Sequence, residues 1–194
     1  MKSYTRLLNE IHPKAWMCDA EKFLGDSELS ENAYLEIDYN IESIYNFPNI
    51  LDYINPIGEI HIYDNGDQYV GALDSKGRFH GEGTYFWKDG SVYQGNWNLG
   101  MMDGKGIYFG KVNLPDAYCY MGEFKDDKYW GKGKLQIKNG QIFEGTFIQD
   151  RFVDGYIKYV NGSSYHGKLN AHGYNGLGVY TDKHGASYKG FWKN

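Results

Sequence analysis

Only four of the 194 residues are proline. With so little proline, the 26 glycines do not mark a collagen-like or disordered Pro/Gly chain. Two cysteines, Cys18 and Cys119, are too few for a disulfide framework or a zinc cage. Apolar runs extend to a handful of residues, so no stretch reads as a membrane-spanning helix. The opening MKSYTRLLNEIHPK lacks the apolar core of a signal peptide, which gives the expectation of a soluble, cytoplasmic chain. Charge of one sign is lacking where nucleic acid would need it. The net charge is −5, and no basic stripe is present.

What is present is unevenly placed. Residues 1–56 carry four basic and ten acidic side chains and a single glycine, Gly25. Residues 57–194 carry sixteen basic, fifteen acidic and the other 25 glycines. A boundary near Pro56 therefore separates an acidic, aromatic extension, 1–56, from a glycine-rich array, 57–194. In the extension, Tyr4, Leu7, Leu8 and Ile11 fall at helical spacing behind the cap Ser3. Trp16, Met17, Ala20, Phe23 and Leu24 form a second helical stripe, with Pro13 near its start and Gly25 past its end. Residues 35–41 fit a strand or a helix equally. This partly helical segment either caps the first hairpin or docks on another subunit.

The array repeats with a period near 23. An aromatic residue two before glycine recurs at Tyr69, Tyr93, Tyr120, Phe143, Tyr165 and Tyr188, at spacings of 24, 27, 23, 22 and 23. Two residues after each glycine stands Leu73, Trp97, Phe124, Phe147, Leu169 or Trp192. A Gly-x-Gly pair follows at Gly81/Gly83, Gly104/Gly106, Gly131/Gly133 and Gly176/Gly178, and Val153 replaces the first glycine beside Gly155. Tyr85, Tyr108, Leu135, Ile157 and Tyr180 come two residues later. The units run 69–92, 93–119, 120–142, 143–164 and 165–187, flanked by half units 57–68 and 188–194.

From the second glycine to the next ring is ten residues in four of five cases, so a tight turn fixes the register. Asp89-Gly90, Asn139-Gly140, Asn161-Gly162 and His184-Gly185 supply the turn chemistry. A two-residue turn would put the Tyr-x-Gly-x-Trp and Gly-x-Gly-x-Tyr series on opposite faces. A three-residue loop with a left-handed glycine puts both on one face. The second pairing sets Tyr85 opposite Tyr93, Gly83 opposite Gly95 and Gly81 opposite Trp97, with rings over bare backbone. The opposite face is expected to be polar, with Gln94, Asn96, Glu123, Lys134 and Lys168. Gly106 to Tyr120 spans fourteen residues, and a loop around Val112, Leu114 and Pro115 is expected to protrude there as a partner contact.

The pattern Tyr-x-Gly-x-(Trp/Phe), Gly-x-Gly-x-Tyr, (Asp/Asn)-Gly resembles the MORN repeat over residues 69–194. The resemblance implies a mainly β fold, a single-layer antiparallel meander of stacked hairpins, with the small helical extension in front. It also implies a scaffold docking other protein subunits at a cytoskeletal or ciliary site such as a radial spoke. Val153, Leu73 and Leu169 depart from the pattern.

The residues themselves point to no chemistry. No Gly-Lys precedes Ser or Thr, and HExxH, GxSxG and CxxC are missing, so no catalytic residue, cofactor or metal ligand is assigned. Two alternatives stand beside the scaffold. One is a peripheral adaptor binding anionic lipid through Lys125, Lys128, Lys132, Lys134 and Lys138, which Glu123, Asp126 and Asp127 offset. The other is a regulatory subunit of an enzyme. The half unit at the C-terminal end, with Tyr188, Phe191 and Trp192, is expected to pair with a second copy or a related array.

Overall fold

The computed structural model describes residues 56, 58–110 and 118–193. The expected helices, residues 35–41 and the tip with Val112, Leu114 and Pro115 lie outside the described residues.

Among the described residues every regular element is a strand: β1 Ile60–Ile62, β2 Gln68–Leu73, β3 Phe79–Phe86, β4 Val92–Asn98, β5 Met101–Gly110 and β6 Tyr118–Lys125, followed by β7 Lys128–Ile137, β8 Ile142–Ile148, β9 Arg151–Lys158, β10 Ser164–Asn170, β11 Gly173–Thr181 and β12 Ser187–Trp192. They form one antiparallel sheet in which each strand pairs with its neighbours in sequence. This is the hairpin meander that the repeat predicts.

Two kinds of turn join the strands. Between β3 and β4, the Trp87 carbonyl accepts from Gly90 N at 3.0 Å and the Trp87 amide donates to Ser91 O at 3.0 Å. The three loop residues end on Gly90 at φ 93°, the left-handed conformation that glycine adopts without steric cost. The same loop recurs before Gln141, Ser163 and Ala186. The expected register follows: Tyr85 faces Tyr93, Gly83 faces Gly95 and Gly81 faces Trp97.

Within the first unit the β2–β3 turn is the same loop, with Asp74 N donating to Arg78 O at 2.8 Å and Gly77 N to Asp74 O at 2.9 Å. The turns within units two to four are shorter. Leu99-Gly100, Asp126-Asp127 and Gln149-Asp150 have positive φ at both central residues, the twist-matched geometry of two-residue hairpins. Between β5 and β6 the connection is longer, with Gly110 facing Tyr118 and Tyr108 facing Tyr120, so the register of the repeat survives the insertion.

The described sheet buries Tyr69, Tyr93, Trp97, Tyr120, Phe124 and Phe147 together on the repeat face. On the reverse face the expectation of polarity fails over β2–β6. Val70, Phe86, Val92, Phe109, Cys119 and Met121 are all buried there. Phe86, Val92, Phe109 and Cys119 are successive register partners and so make one apolar row. That row turns polar where it continues: Cys119 faces Gln136, and Ile142 faces Lys158.

Candidate functional site

The repeat face is built from one device used four times. Tyr69, Tyr93, Tyr120 and Tyr165 lie flat along their own strands, each fully buried at 0% exposure. Beneath each ring two glycines face each other: Gly71 with Gly83, Gly95 with Gly106, Gly122 with Gly133, and Gly167 with Gly178. A Cβ on Gly83 or Gly133 would stand 2.3 Å from the tyrosine hydroxyl above it. Only bare backbone admits the ring.

The hydroxyl has its own task. Tyr69 donates to the Ala72 carbonyl at 3.0 Å, Tyr93 to Asn96 at 2.9 Å, Tyr120 to Glu123 at 3.0 Å and Tyr165 to Lys168 at 3.1 Å. These carbonyls stand where the ladder slips. Past the paired glycines, β3, β7 and β11 each insert two residues, Gly81-Glu82, Gly131-Lys132 and Gly176-Leu177. The first residue of each insertion is glycine at φ 67°, 60° or 75°. A bulge leaves backbone groups unpaired, and a buried carbonyl left unpaired is costly. The tyrosine hydroxyl supplies the missing donor. At Gly81 and Gly176 the first glycine of the pair therefore serves backbone conformation alone, since a Cβ there meets nothing within 4 Å. Gly81 faces Trp97 in register as expected, but the expected ring does not lie over it.

The ring two residues beyond the first-strand glycine ties units together. Trp97 meets Tyr93 edge-on at 5.0 Å and reaches back to Tyr69 at 5.7 Å. Phe124 sits 5.1 Å from Tyr120 and 5.0 Å from Tyr93. Trp192 does the same between Tyr188 and Tyr165. The Trp97 Nε1 donates to Gly83 O at 3.1 Å.

Turns add a second tie. Asp127 N donates to Met102 O at 3.1 Å, while its carboxylate accepts from Met102 N at 2.7 Å. Asp150 clasps Tyr129 in the same way, at 3.1 and 2.8 Å. Gly100 N reaches Phe79 O at 3.0 Å but has no carboxylate to return. Sequence reasoning missed these clasps, although aspartate one repeat apart at Asp127 and Asp150 was the signal.

Burial makes the tyrosine layer hard to ionise. It pushes the hydroxyls of Tyr69 and Tyr108 up to about 12 from an ordinary 10.0. Tyr93, Tyr120 and Tyr129 move in the same direction for the same reason.

The fourth unit departs. Phe143 has no hydroxyl and Val153, whose φ is not positive, stands where the bulge glycine belongs. The ladder there keeps one more pair, Thr146 with Asp154, and only Val153 is passed over. The two departures compensate each other: with no two-residue bulge, the carbonyl that tyrosine serves elsewhere stays in the ladder. At the next joint Leu169 replaces the linking ring, and a hydrogen bond between the Tyr159 and Tyr174 hydroxyls spans it instead.

Of the lysines considered for lipid, Lys132 Nζ donates to Thr146 Oγ1 at 3.0 Å and Lys134 pairs with Glu144 at 3.9 Å. Lys125 lies over the Trp130 ring at 5.2 Å. Of the expected docking residues, Tyr188, Phe191 and Trp192 fall together on β12.

These features define a class, the open sheet of hairpin repeats that presents an aromatic face. Three of the repeats are MORN repeats: the family model for "MORN repeat" matches residues 75–92, 93–111 and 120–142. Rat alsin is 30% identical over 131 residues, which is 61% of this chain and 8% of alsin. MORN repeat-containing protein 3 of Xenopus laevis is 39% identical over 72 residues, 36% of this chain and 30% of that protein. Phosphatidylinositol 4-phosphate 5-kinase 1 of Oryza sativa subsp. japonica is 37% identical over 62 residues, 32% of this chain and 8% of the kinase. The chain thus spans only about 8% of the length of the alsins it matches. The family-model match stops before Phe143, where the pattern itself departs.

Proposed function

We propose that the chain is a non-catalytic adaptor that docks protein subunits into a larger assembly of cytoskeletal or ciliary type. One observation carries this reading. Leu177 and Phe191 are large apolar side chains left 74% and 69% exposed side by side on the reverse face of β11 and β12. Clustered exposed apolar surface is the mark of a protein contact. The cytoskeletal setting rests on likeness to the repeat family and is the finer part of the proposal.

Anionic lipid is the competing partner, and the rice relative's name brings it to mind. Three of the five lysines that would serve it are engaged: Lys132 with Thr146, Lys134 with Glu144 and Lys125 with Trp130. A lipid surface rewards clustered free cations at about 1 kcal/mol each. Engaged lysines argue for protein.

Two measurements test the reading. The tagged chain purified from its native cells should bring down defined cytoskeletal subunits in fixed stoichiometry. The purified chain should not co-sediment with phosphatidylserine vesicles in a salt-sensitive manner. Vesicle binding without a stoichiometric protein partner overturns the proposal.

A further inference from the structure

The exposed pair of Leu177 and Phe191 sits in a definite chemical setting. Leu177 lies on β11 with a paired strand on either side, yet it is the more exposed of the two. The reverse face itself is therefore open here, whereas over β2–β6 the same face buries Val70, Phe86, Val92, Phe109, Cys119 and Met121. The backbone helps to present the side chain. Leu177 is the second residue of the bulge that Gly176 opens at φ 75°, and a bulge re-aims the side chain it carries.

Charge also sets this stretch apart. β10, β11 and β12 contain no aspartate or glutamate, while His166, Lys168 and Lys189 stand exposed on their reverse face. Lys189 is two residues from Phe191 and faces Val179 across the ladder. Lys168 stands on the other side of Leu177, facing Asn175 on β11 and Asp154 on β9. The carboxylate of Asp182, in the β11–β12 turn, is spent on the amides of His184 and Ala186 at 2.8 and 2.9 Å. Elsewhere on this face lysine is matched by acid: Lys105 faces Glu123, and Lys134 meets Glu144 at 3.9 Å. Lys189 has no carboxylate opposite it.

We propose that the reverse face of β10–β12 docks an acidic, apolar segment of a protein partner. Its apolar side chains cover Leu177 and Phe191, and its carboxylates meet Lys189 on one side and Lys168 on the other. An apolar centre inside a charged rim is the anatomy of a protein contact. The charges fix orientation and speed encounter more than they add affinity. An anionic membrane rewards number instead, in clusters of about four to eight cations, and this face offers two lysines. The inference rests on the adaptor reading and names the class of partner taken at this face.

Selection of random linear peptides on the intact chain tests the proposal without any native partner. Enriched peptides should carry aspartate or glutamate beside leucine, isoleucine or phenylalanine. Leu177→Ser should weaken their binding about tenfold or more. Lys189→Glu should weaken it about tenfold at low salt, and less as salt rises. Val160→Ser, at an exposed apolar residue of the β9–β10 turn, should leave binding unchanged. All three positions are open to solvent, so thermal melts of the variants should match the parent. No enrichment, enrichment of basic peptides, or acidic peptides held equally well by Leu177→Ser would each overturn the proposal, as would Lys189-dependent sedimentation with phosphatidylserine vesicles. Purification from native cells separates the two readings. Stoichiometric subunits retained by Leu177→Ser would sink this inference alone, whereas no native protein partner at all would sink the adaptor reading.

Discussion

The first three units and the fourth solve one backbone problem in two ways. In units one to three a glycine bulge breaks the ladder, and a tyrosine hydroxyl satisfies the exposed carbonyl at 3.0, 2.9 and 3.0 Å. In the fourth, Phe143 and Val153 remove both the hydroxyl and the two-residue bulge, and Thr146 pairs with Asp154 instead. The difference shows that the tyrosine and the first glycine of the motif are one device. Where one is lost the other has no purpose. It also separates well-tied joints from a poorly tied one. Trp97 and Phe124 each touch the tyrosines of two units, whereas Leu169 brings no ring to the joint between β9 and β10.

The largest way to break the comparison is collective. The hydroxyls of Tyr69 and Tyr108, held near 12 in the fold against 10.0, favour the protonated form. Their contribution is whole below pH 10 and is lost as pH rises toward 12. Equilibrium denaturation followed by tryptophan fluorescence should show stability falling steeply over that window, the units with buried tyrosine being the ones that melt. A flat profile would mean that the tyrosines are not buried as described.

Next is the linking ring. Trp97→Ala should cost about 3–5 kcal/mol, because its contacts to Tyr69, Phe79 and Tyr93 are lost together. Leu169→Ala, at the joint without a ring, should cost about 1 kcal/mol. Urea melts of the two variants check the ranking.

Glycines split by cause. Gly133→Ala puts a methyl 2.3 Å from the Tyr120 hydroxyl and should cost about 1–3 kcal/mol through overpacking. Gly81→Ala meets open space and suffers only its φ of 67°, a cost of about 1 kcal/mol. Thermal melts should order them so.

Smaller still is the hydroxyl. Tyr93→Phe should lose about 1 kcal/mol with its bond to Asn96 O. Phe143→Tyr should gain nothing measurable, since no freed carbonyl awaits it.

Much of this was legible. Ten-residue spacing with Asp-Gly or Asn-Gly at the turn fixes loop, register and face, because a slip of one residue would turn every ring outward. The two-residue turns were not legible. Leu99, Asp126, Asp127, Gln149 and Asp150 take positive φ without the Asn-Gly signature, held there by hairpin closure. The bulge was hidden for a related reason: glycine's letter does not say whether φ or space demands it. The apolar row on the reverse face lies outside the repeat, and only the observed pairing brings Phe86, Val92, Phe109 and Cys119 into line. For the candidate site, Tyr188, Phe191 and Trp192 could be marked from the half unit, while their exposure and the unpaired Trp192 Nε1 could not.

Native-state hydrogen exchange, resolved along the chain, tests the central claim most directly. If tyrosine-capped bulges and linking rings hold the array together, amides of β4–β8 should exchange only through global opening, and those of β10–β12 should exchange faster through local opening at the β9–β10 joint. Uniform protection from β4 to β12 would contradict the account.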